Sequence, residues 1–278
     1  MFHASLALAR RIDRAEIDFC ALAARAGLPG GASSLSAGGG RALCGRPGSP
    51  FNKVLGLGLD VEVSEADLDA IDEFYDAHEV PAQIELCPLA VSGLSSRLAA
   101  RGYVLQAFEN QLAAPLDDTM TAATVPPLHT SFSIVTSTTA GDTAMWVNAV
   151  ARGFAAGERA DGGDDGELPP EVMEAIRAFH HDSIARYLVR ADGHAVGGGA
   201  AYIFDGVLGL TGTATIPTYR GRGIQHAVVR RMLHDARGRA EIATATTDPG
   251  SRSQRTFERF GFQVIYTRAV LVRPFHTR

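Results

Sequence analysis

The stretch that decides the fold is Thr213-Ala-Thr-Ile-Pro-Thr-Tyr-Arg-Gly-Arg-Gly-Ile-Gln-His-Ala-Val-Val-Arg-Arg-Met-Leu233. Its β-branched start predicts a strand, its proline ends strand pairing, and its last part predicts an unbroken helix. Between the two, Gly221 and Gly223 let the backbone turn tightly and approach a ligand without a Cβ in the way. The free N–H groups and the positive dipole end at the start of the helix are a natural seat for phosphate.

This turn differs from the common phosphate-binding loops. No Gly-Lys-Ser/Thr follows it, which excludes a Walker loop, and Gly221-x-Gly223 lacks the third glycine of a dinucleotide fingerprint. A strand, a glycine turn and a helix in series are structural about as often as they bind phosphate. The residues of the turn, taken by themselves, leave both interpretations open.

On either side of the turn, the periodicity of apolar residues predicts elements that flank a proline-broken linker at 115–130. Upstream we expect helices at 4–26, 64–78 and 92–101, a glycine-rich stretch at 30–48, and strands at 53–59, 82–86 and 103–112. Downstream we expect helices at 142–156, 169–180, 224–237 and 251–260, and strands at 131–136, 184–190, 195–204, 207–215, 241–246 and 262–272. This order predicts an α/β protein with a mixed sheet and helices on both faces.

The two halves of the chain repeat one another in outline. Arg101-Gly102-Tyr103 follows strand, helix, strand and helix in the first half, as Phe260-Gly261-Phe262 does in the second. We interpret this as a diverged internal duplication. The predicted domains are residues 1–120 and 129–278.

Two motifs resemble one known family. The segment from Thr215 to Gln225 resembles the acyl-CoA-binding motif of the GNAT superfamily of N-acyltransferases, Arg/Gln-x-x-Gly-x-Gly/Ala, with Arg220 and Gly223 in place. Phe257-Glu-Arg-Phe-Gly-Phe262 is similar to its late Tyr-x-x-x-Gly-Phe signature, and the order of elements from 131 to 273 is that of its fold. The resemblance implies a tandem GNAT fold: a degenerate amino-terminal copy, then a carboxy-terminal copy that binds CoA.

The resemblance also implies how acetyl-CoA is held. Backbone groups of the strand before the turn pair with the pantetheine amides, and N–H groups of the turn and helix hold the diphosphate. The positions so implied are Ala214, Thr215, Ile216, Arg220, Gly221, Arg222, Gly223, Ile224, Gln225, His226 and Ala227. Gln225 stands where a small residue is usual, but a side chain in the first helical turn can point away from the ligand.

The catalytic groups are less determined. In the family a tyrosine of the late helix protonates the thiolate, and here that position is Phe257, which cannot ionise. Ser251 or Ser253 can hydrogen-bond the sulfur or a water, and a thiol pKa near 8.5 means that protonation needs little help. The strand 210–215 carries no carboxylate. The general base therefore stays open among Glu109, Glu158, Tyr202 and a chain of waters.

Composition excludes several other classes of function. The formal net charge of −5 gives no electrostatic reason to expect nucleic acid or an anionic membrane as partner. Three cysteines without CxxC spacing favour a reducing compartment over a zinc site. His180 and His181 are adjacent on a predicted helix and point apart, so they are a poor metal pair. We expect a cytoplasmic monomer or homodimer without a metal.

The sequence thus predicts an N-acetyltransferase that moves an acetyl group from acetyl-CoA to a primary amine of a small molecule or peptide. The acidic loop 158–167 is either a solvated surface loop or a wall of the acceptor cleft that attracts a cationic amine. The alternative function is a catalytically silent acyl-CoA-binding regulator, which Phe257 and the missing carboxylate favour.

Overall fold

The computed structural model describes residues 2–25, 32–117, 129–156, 168, 170–179 and 181–275. The first half contains α1 (Leu6–Arg25), β1 (Ser33–Ala37), β2 (Gly40–Cys44), β3 (Val54–Leu55), α2 (Glu65–Ala77), β4 (Ala82–Leu86), α3 (Leu94–Ala100) and β5 (Val104–Pro115). The second half contains β6 (Phe132–Thr136), α4 (Ala140–Ala155), α5 (Pro170–Arg177), β7 (Ile184–Ala191), β8 (His194–Phe204), β9 (Val207–Thr215), a short 3-10 turn (Pro217–Tyr219), α6 (Ile224–Asp235), β10 (Ile242–Thr247), α7 (Arg252–Arg259) and β11 (Gln263–Arg273).

The eleven strands of the described residues form one sheet, in the order β1-β2-β3-β4-β11-β5-β10-β9-β8-β7-β6. Two halves lie side by side in this order, except that the last strand of each has crossed into the other. β11 lies between β4 and β5, and β5 lies between β11 and β10, with every one of these pairings antiparallel. Each half therefore completes the sheet of the other.

Helices cover both faces of the sheet, as the sequence predicts. Neighbouring strand residues alternate between the two faces: Leu188 packs with α1, α4 and α5, whereas Val189 packs with α6 and α7. In the first half Leu43 faces α1, and Ala42 faces α2 and α3. The apolar layers on the two faces follow from the period of two along each strand.

Several helices begin at hydroxyl caps that the sequence makes recognisable. Ser64 caps α2 and accepts a hydrogen bond from the Asp67 N–H, as expected for a serine in that position. Ser251 caps α7 by accepting from the Gln254 N–H at 3.0 Å. These caps fix where each helix starts and so where its first N–H groups lie.

The internal repeat has a constant offset. Gly102 and Gly261 lie 159 positions apart, and so do the first residues of α2 and α6, Glu65 and Ile224. The glycine pair shares a left-handed backbone, with φ of 87° at both positions. The two halves therefore correspond residue by residue over these elements.

The structure corrects the predicted first half in one region. The glycine-rich stretch 30–48 contains the hairpin of β1 and β2, which turns at Gly38 and Gly39 with φ of 52° and 76°. Such positive angles are the ones that two-residue hairpin turns require and that glycine adopts without strain. The strand predicted at 53–59 is shorter than expected, because the chain turns away after Leu55. The predicted domain division, between residues 120 and 129, lies almost entirely outside the described residues and stays a prediction.

Candidate functional site

The site begins where two parallel strands separate. β9 and β10 pair from Val207 opposite Ile242 to Leu210 opposite Ala245. Beyond that point β9 continues to Thr215 with β8 as its one strand neighbour in the described chain. Its other edge is open, and an open backbone edge can take an amide-bearing ligand as an added strand.

A bulge lies in the open part of β9. The register with β8 shifts between Thr211 and Ala214, and Gly212 within this bulge has a φ of 60°. A Cβ at Gly212 would lie 2.9 Å from the ring of Phe179. Glycine is therefore required here by both backbone angle and space.

The strand ends in backbone hydrogen bonds within the protein. Ile216 donates its N–H to the Val196 carbonyl at 3.1 Å, and its own carbonyl accepts from the Tyr219 N–H at 3.0 Å. The Thr215 carbonyl accepts from Arg220 Nε at 3.2 Å. Both backbone groups of Ile216 are thus engaged, while the open edge lies before it.

The glycine turn leads directly into α6. Gly221 and Gly223 have φ of 75° and 79°, and a Cβ on either would meet no atom within 4 Å in the part of the chain that is described. Gly223 is the N-cap of α6 and provides no side-chain hydrogen bond, and the first turn carries no acidic residue. The first N–H groups of α6, from Ile224 onward, therefore face the turn without a side-chain cap or a negative charge.

The two arginines of the turn have different surroundings. Arg220 reaches back into the protein, where its Nη2 donates to the Gly153 carbonyl of α4 at 2.9 Å. Arg222 is exposed, and its guanidinium lies 4.9 Å from the centre of the Tyr219 ring. Arg220 thus holds the turn against α4, whereas Arg222 presents its charge to solvent beside the glycines.

The next three positions of α6 also differ in what they offer. The Gln225 side chain points toward α7, where its Nε2 lies 3.4 Å from Ser253 Oγ. Burial and the nearby Arg259 lower the pKa of His226, so this ring adds no charge at neutral pH. Ala227 already donates its N–H to the Gly223 carbonyl at 3.0 Å. The side chain of Gln225 therefore leaves the start of α6 open.

The candidate catalytic residues at α7 lie in or beside the core. Phe257 is 2% exposed, and its ring lies 5.2 Å from that of Phe262. Ser251 is buried and engaged as the cap of α7, and Ser253 is half-buried beside Gln225. Within α7, Ser253 is the candidate that retains a partly accessible hydroxyl.

The candidate bases are separated by their exposure. Tyr202 is buried and stacked on Phe19 with 4.4 Å between ring centres, and burial raises the pKa of its hydroxyl. Glu158 and the acidic loop 158–167 lie outside the described residues. Glu109 has a side chain 28% exposed, and burial together with Glu85 raises the pKa of its carboxyl. Of the candidate bases that the structure describes, Glu109 is the carboxylate, and its side chain is partly exposed.

A buried ionic group that the sequence does not reveal surrounds Glu109. We call it the junction cluster; its members are Glu16, Lys53, Glu85, Glu109 and Arg268. Arg268 is 2% exposed, and its Nη1 and Nη2 each donate to one oxygen of Glu16 at 2.9 Å. Lys53 lies 2.8 Å from Glu85. The cluster connects α1, β4, β5 and β11 across the boundary of the two halves.

Other classes of site are not found in the described residues. There, no group of three or more His, Cys, Asp or Glu side chains is placed to hold a metal ion. None of the described helices has the length and apolar character that crossing a membrane requires. Trp146 is fully buried and donates its indole N–H to the Gly199 carbonyl at 3.0 Å, as expected for a core residue.

Comparison with known proteins now identifies the second half. The profile of the Acetyltransferase (GNAT) family matches residues 151–262, a range that contains the open strand, the glycine turn and the late helix. This range forms a GNAT domain. Members of the GNAT family are acyltransferases. No curated protein sequence matches the chain.

Solved GNAT structures extend the likeness to the whole chain. A GCN5-related N-acetyltransferase from Kribbella flavida is 22% identical, covers 96% of each chain and has a TM-score of 0.70. A tandem GNAT protein from the clavulanic acid biosynthesis pathway is 15% identical, with a TM-score of 0.61 over 100% of this chain and 99% of that one. A GCN5-related N-acetyltransferase from Sphaerobacter thermophilus is 16% identical, with a TM-score of 0.59 over 99% and 95%. The predicted tandem GNAT fold is confirmed.

Proposed function

We propose that the protein is an N-acetyltransferase that moves the acetyl group of acetyl-CoA to a primary amine of a small molecule or peptide. The observation that carries the proposal is the combination of an open β9 edge with an uncapped start of α6. One offers main-chain groups to pantetheine amides, and the other offers N–H groups to a diphosphate. The buried, unpaired cysteines favour a reducing compartment such as the cytoplasm.

The diphosphate would be held at the turn mainly by the backbone. The N–H groups from Arg222 to His226 lie in or directly after the turn, where a Cβ on Gly221 or Gly223 would meet no atom within 4 Å in the described chain. Arg222 is exposed there and adds a charge that attracts a polyanion. Since a helix start favours negative charge by itself, the identity of Gln225 matters little for this contact.

The pantetheine arm would extend β9 on its open side. Positions from Thr211 to Thr215 supply the free edge, and the bulge at Gly212 marks where pairing with β10 has ended. This arrangement brings the thioester between β9 and β10, close to the point at which they separate. Holding the two reactants in one place is the main source of rate in acyl transfer between them.

The departing thiolate needs a proton, and Phe257 cannot supply it. Its ring is also buried against Phe262. Ser253, half-buried beside Gln225, is the proposed hydrogen-bond partner of the sulfur or of a water next to it. A thiol with a pKa near 8.5 is a fair leaving group without a strong acid.

The second candidate function is an acyl-CoA-binding regulator without turnover. Two observations favour it: the non-ionisable Phe257 at the usual acid position, and a β9 strand without a carboxylate. Both functions require the same cofactor contacts and differ in whether thiol is released.

Two measurements test the proposal in sequence. Isothermal titration with acetyl-CoA is expected to give one site per chain with micromolar affinity or better, and absence of binding overturns both functions. Thiol release is then followed with a panel of alkylamines, arylamines and lysine peptides. Release that depends on an amine supports the enzyme, whereas tight binding without release supports the regulator.

A further inference from the structure

The junction cluster carries more negative than positive charge. Three carboxylates, those of Glu16, Glu85 and Glu109, face two cations, Lys53 and Arg268. Oε2 of Glu85 is buried and has no hydrogen-bond partner with good geometry among the described residues, although it lies 2.8 Å from Arg268 Nη2. A buried group with one carboxylate in excess favours the approach of another cation.

Glu109 is the member of the cluster that a ligand can reach. Its side chain is 28% exposed, whereas those of Arg268 and Glu85 are 2% and 1% exposed. Lys53 and Glu16 are also nearly covered, at 12% and 10%. An incoming cation would therefore meet the excess charge at Glu109.

The position of Glu109 on β5 places it at the end of β10, the strand from which β9 has separated. It precedes Asn110, which is opposite Thr247 at the end of β10. Thr246 Oγ1 lies 3.4 Å from Arg268 Nη2, and Glu109 Oε2 lies 3.0 Å from Arg268 Nε, so one guanidinium holds both. In the order of the sheet Glu109 on β5 lies two strands from β9, with β10 between them, and it lies one residue beyond the last residue of β5 that pairs with the end of β10.

From this geometry we infer that Glu109, a residue of the first half, receives the ammonium group of the acceptor and takes one of its protons. The inference rests on the proposed function, because the acyl donor bound at β9 belongs to that proposal. It names the acceptor class as an amine that arrives protonated, and it gives the first half a direct part in the chemistry. Arg268 acts as a positioning residue for the Glu109 carboxylate.

The reaction balances with two protons leaving the acceptor nitrogen. Glu109 takes the first from the ammonium, and the neutral amine attacks the thioester carbonyl carbon. As the C–N bond forms and the C–S bond breaks, the nitrogen loses its second proton and the thiolate gains one. Glu109 returns its proton to water, so one ammonium and one thioester give one amide, one thiol and one proton.

The electrostatics of the cluster agree with this role. Burial and Glu85 raise the pKa of Glu109, while Arg268 and Lys53 oppose this and Glu16 adds to it. Asp13 and Tyr266 face the same guanidinium from α1 and β11, and their hydroxyl–carboxyl bond is 2.6 Å long. A carboxylate with a raised pKa is a better proton acceptor than an ordinary surface glutamate.

The test compares Glu109→Gln with the wild type, using n-butylamine and aniline as acceptors. Butylamine is an ammonium at neutral pH and aniline is not. The two acceptors therefore distinguish a Glu109 that removes a proton from a Glu109 that only positions the acceptor. We expect kcat/KM for butylamine to fall by about a hundredfold in Glu109→Gln. The pH profile of kcat/KM for butylamine should also lose the limb on its acidic side. For aniline we expect a fall of less than about threefold, because no ammonium proton has to be removed.

Matched controls keep the outcomes distinct. Glu73→Gln makes the same change at an exposed position of α2 and is expected to leave both rates unchanged. Titration with acetyl-CoA and the wild-type assay come first: a wild type that fails to bind acetyl-CoA, or that binds it and acylates no amine, overturns the proposed enzyme and this inference with it. If the wild type acylates both amines and Glu109→Gln lowers both rates equally or leaves both unchanged, the role of Glu109 alone is wrong.

Discussion

The starts of α2 and α6 occupy equivalent places in the two halves and differ in almost every side chain. At the constant offset of 159 positions, Ser64 corresponds to Gly223 and Asp67 to His226. Both residues of the first pair are N-caps that follow a strand and a turn. The backbone architecture is thus retained while the groups at the helix start have changed.

At α2 the protein fills its own anion site. Ser64 and Asp67 form a reciprocal capping box, and the Asp67 carboxylate also accepts from the Gly38 N–H at 2.9 Å. These hydrogen bonds lower the pKa of Asp67 and keep it charged. Glu65 adds a second carboxylate to the first turn. A diphosphate would meet two negative charges and few free N–H groups there.

At α6 the corresponding groups are absent from the first turn, and the comparison indicates what the proposed acyl-CoA site needs beyond the fold. A strand, a turn and a helix occur in both halves, but the site requires a helix start that its own side chains leave unoccupied. The first half caps this helix start with its own side chains, and on our inference it serves the reaction through Glu109.

The largest expected effect comes from closing the open turn. Gly223→Glu adds bulk and a negative charge at the start of α6, so acetyl-CoA binding should fall below detection in isothermal titration. The left-handed φ of 79° adds strain of about 1–2 kcal/mol. Gly93→Glu is the matched control, since Gly93 is the N-cap of α3 with a φ of 77° and equal free space. Equal loss of binding in both variants would contradict the placement of the diphosphate.

The second largest effect is expected from a substitution in the junction cluster, between the two halves. Arg268→Met leaves Glu16, Glu85 and Glu109 without their shared partner, and breaking a buried ion pair in this way costs about 3–5 kcal/mol. The free energy of unfolding from urea titration measures the loss. A change under about 1 kcal/mol would show that the halves do not depend on this group.

A pH-dependent effect is expected from Asp13, which accepts a hydrogen bond from the Tyr266 hydroxyl. Burial is the main cause that raises its pKa from 3.8 to about 6. An acid with a raised pKa stabilises the fold at low pH, and that stability is lost as the pH rises through about 6. Asp13→Asn should therefore gain up to about 3 kcal/mol over the wild type at pH 7 and little at pH 4. Urea titrations at the two pH values check this, and a gain independent of pH would count against it.

The smallest expected effect concerns the first half alone. Asp67→Ala removes the capping box of α2 and should lower the free energy of unfolding by about 1 kcal/mol. Acetyl-CoA affinity should not change, because the proposed site lies at α6. A second acetyl-CoA site in the titration would show that the start of α2 can bind the cofactor once its cap is removed. Loss of acetyl-CoA binding would contradict the placement of the proposed site at α6.

Local signals in the sequence predict turns and helix starts in both halves. The turn at Gly221 and Gly223, the helix that follows it, and the Ser64 cap are all short-range features, and the mixed sheet with helices on both faces is confirmed. The hairpin at Gly38 and Gly39 was not predicted, because a run of small residues has no clear apolar period.

Long-range features escape such signals. Nothing local marks β5 as a neighbour of β10, since its partner in the sheet lies on the other side of the linker. Arg268 and Glu16 are 252 positions apart in the chain. Glu109 was a candidate base as a residue type, but its setting beside Arg268 depends on that strand pairing.

The crossing of the two last strands has a consequence for biosynthesis. Because β11 lies between β4 and β5, the gap in the amino-terminal sheet can close only after β11 has left the ribosome. Contacts of such long sequence separation form slowly. Until then, the edges of β4 and β5 in a nascent chain are open to pairing with strands of other chains. If the chain were cut at the linker, each of the two fragments would carry the strand that the sheet of the other lacks.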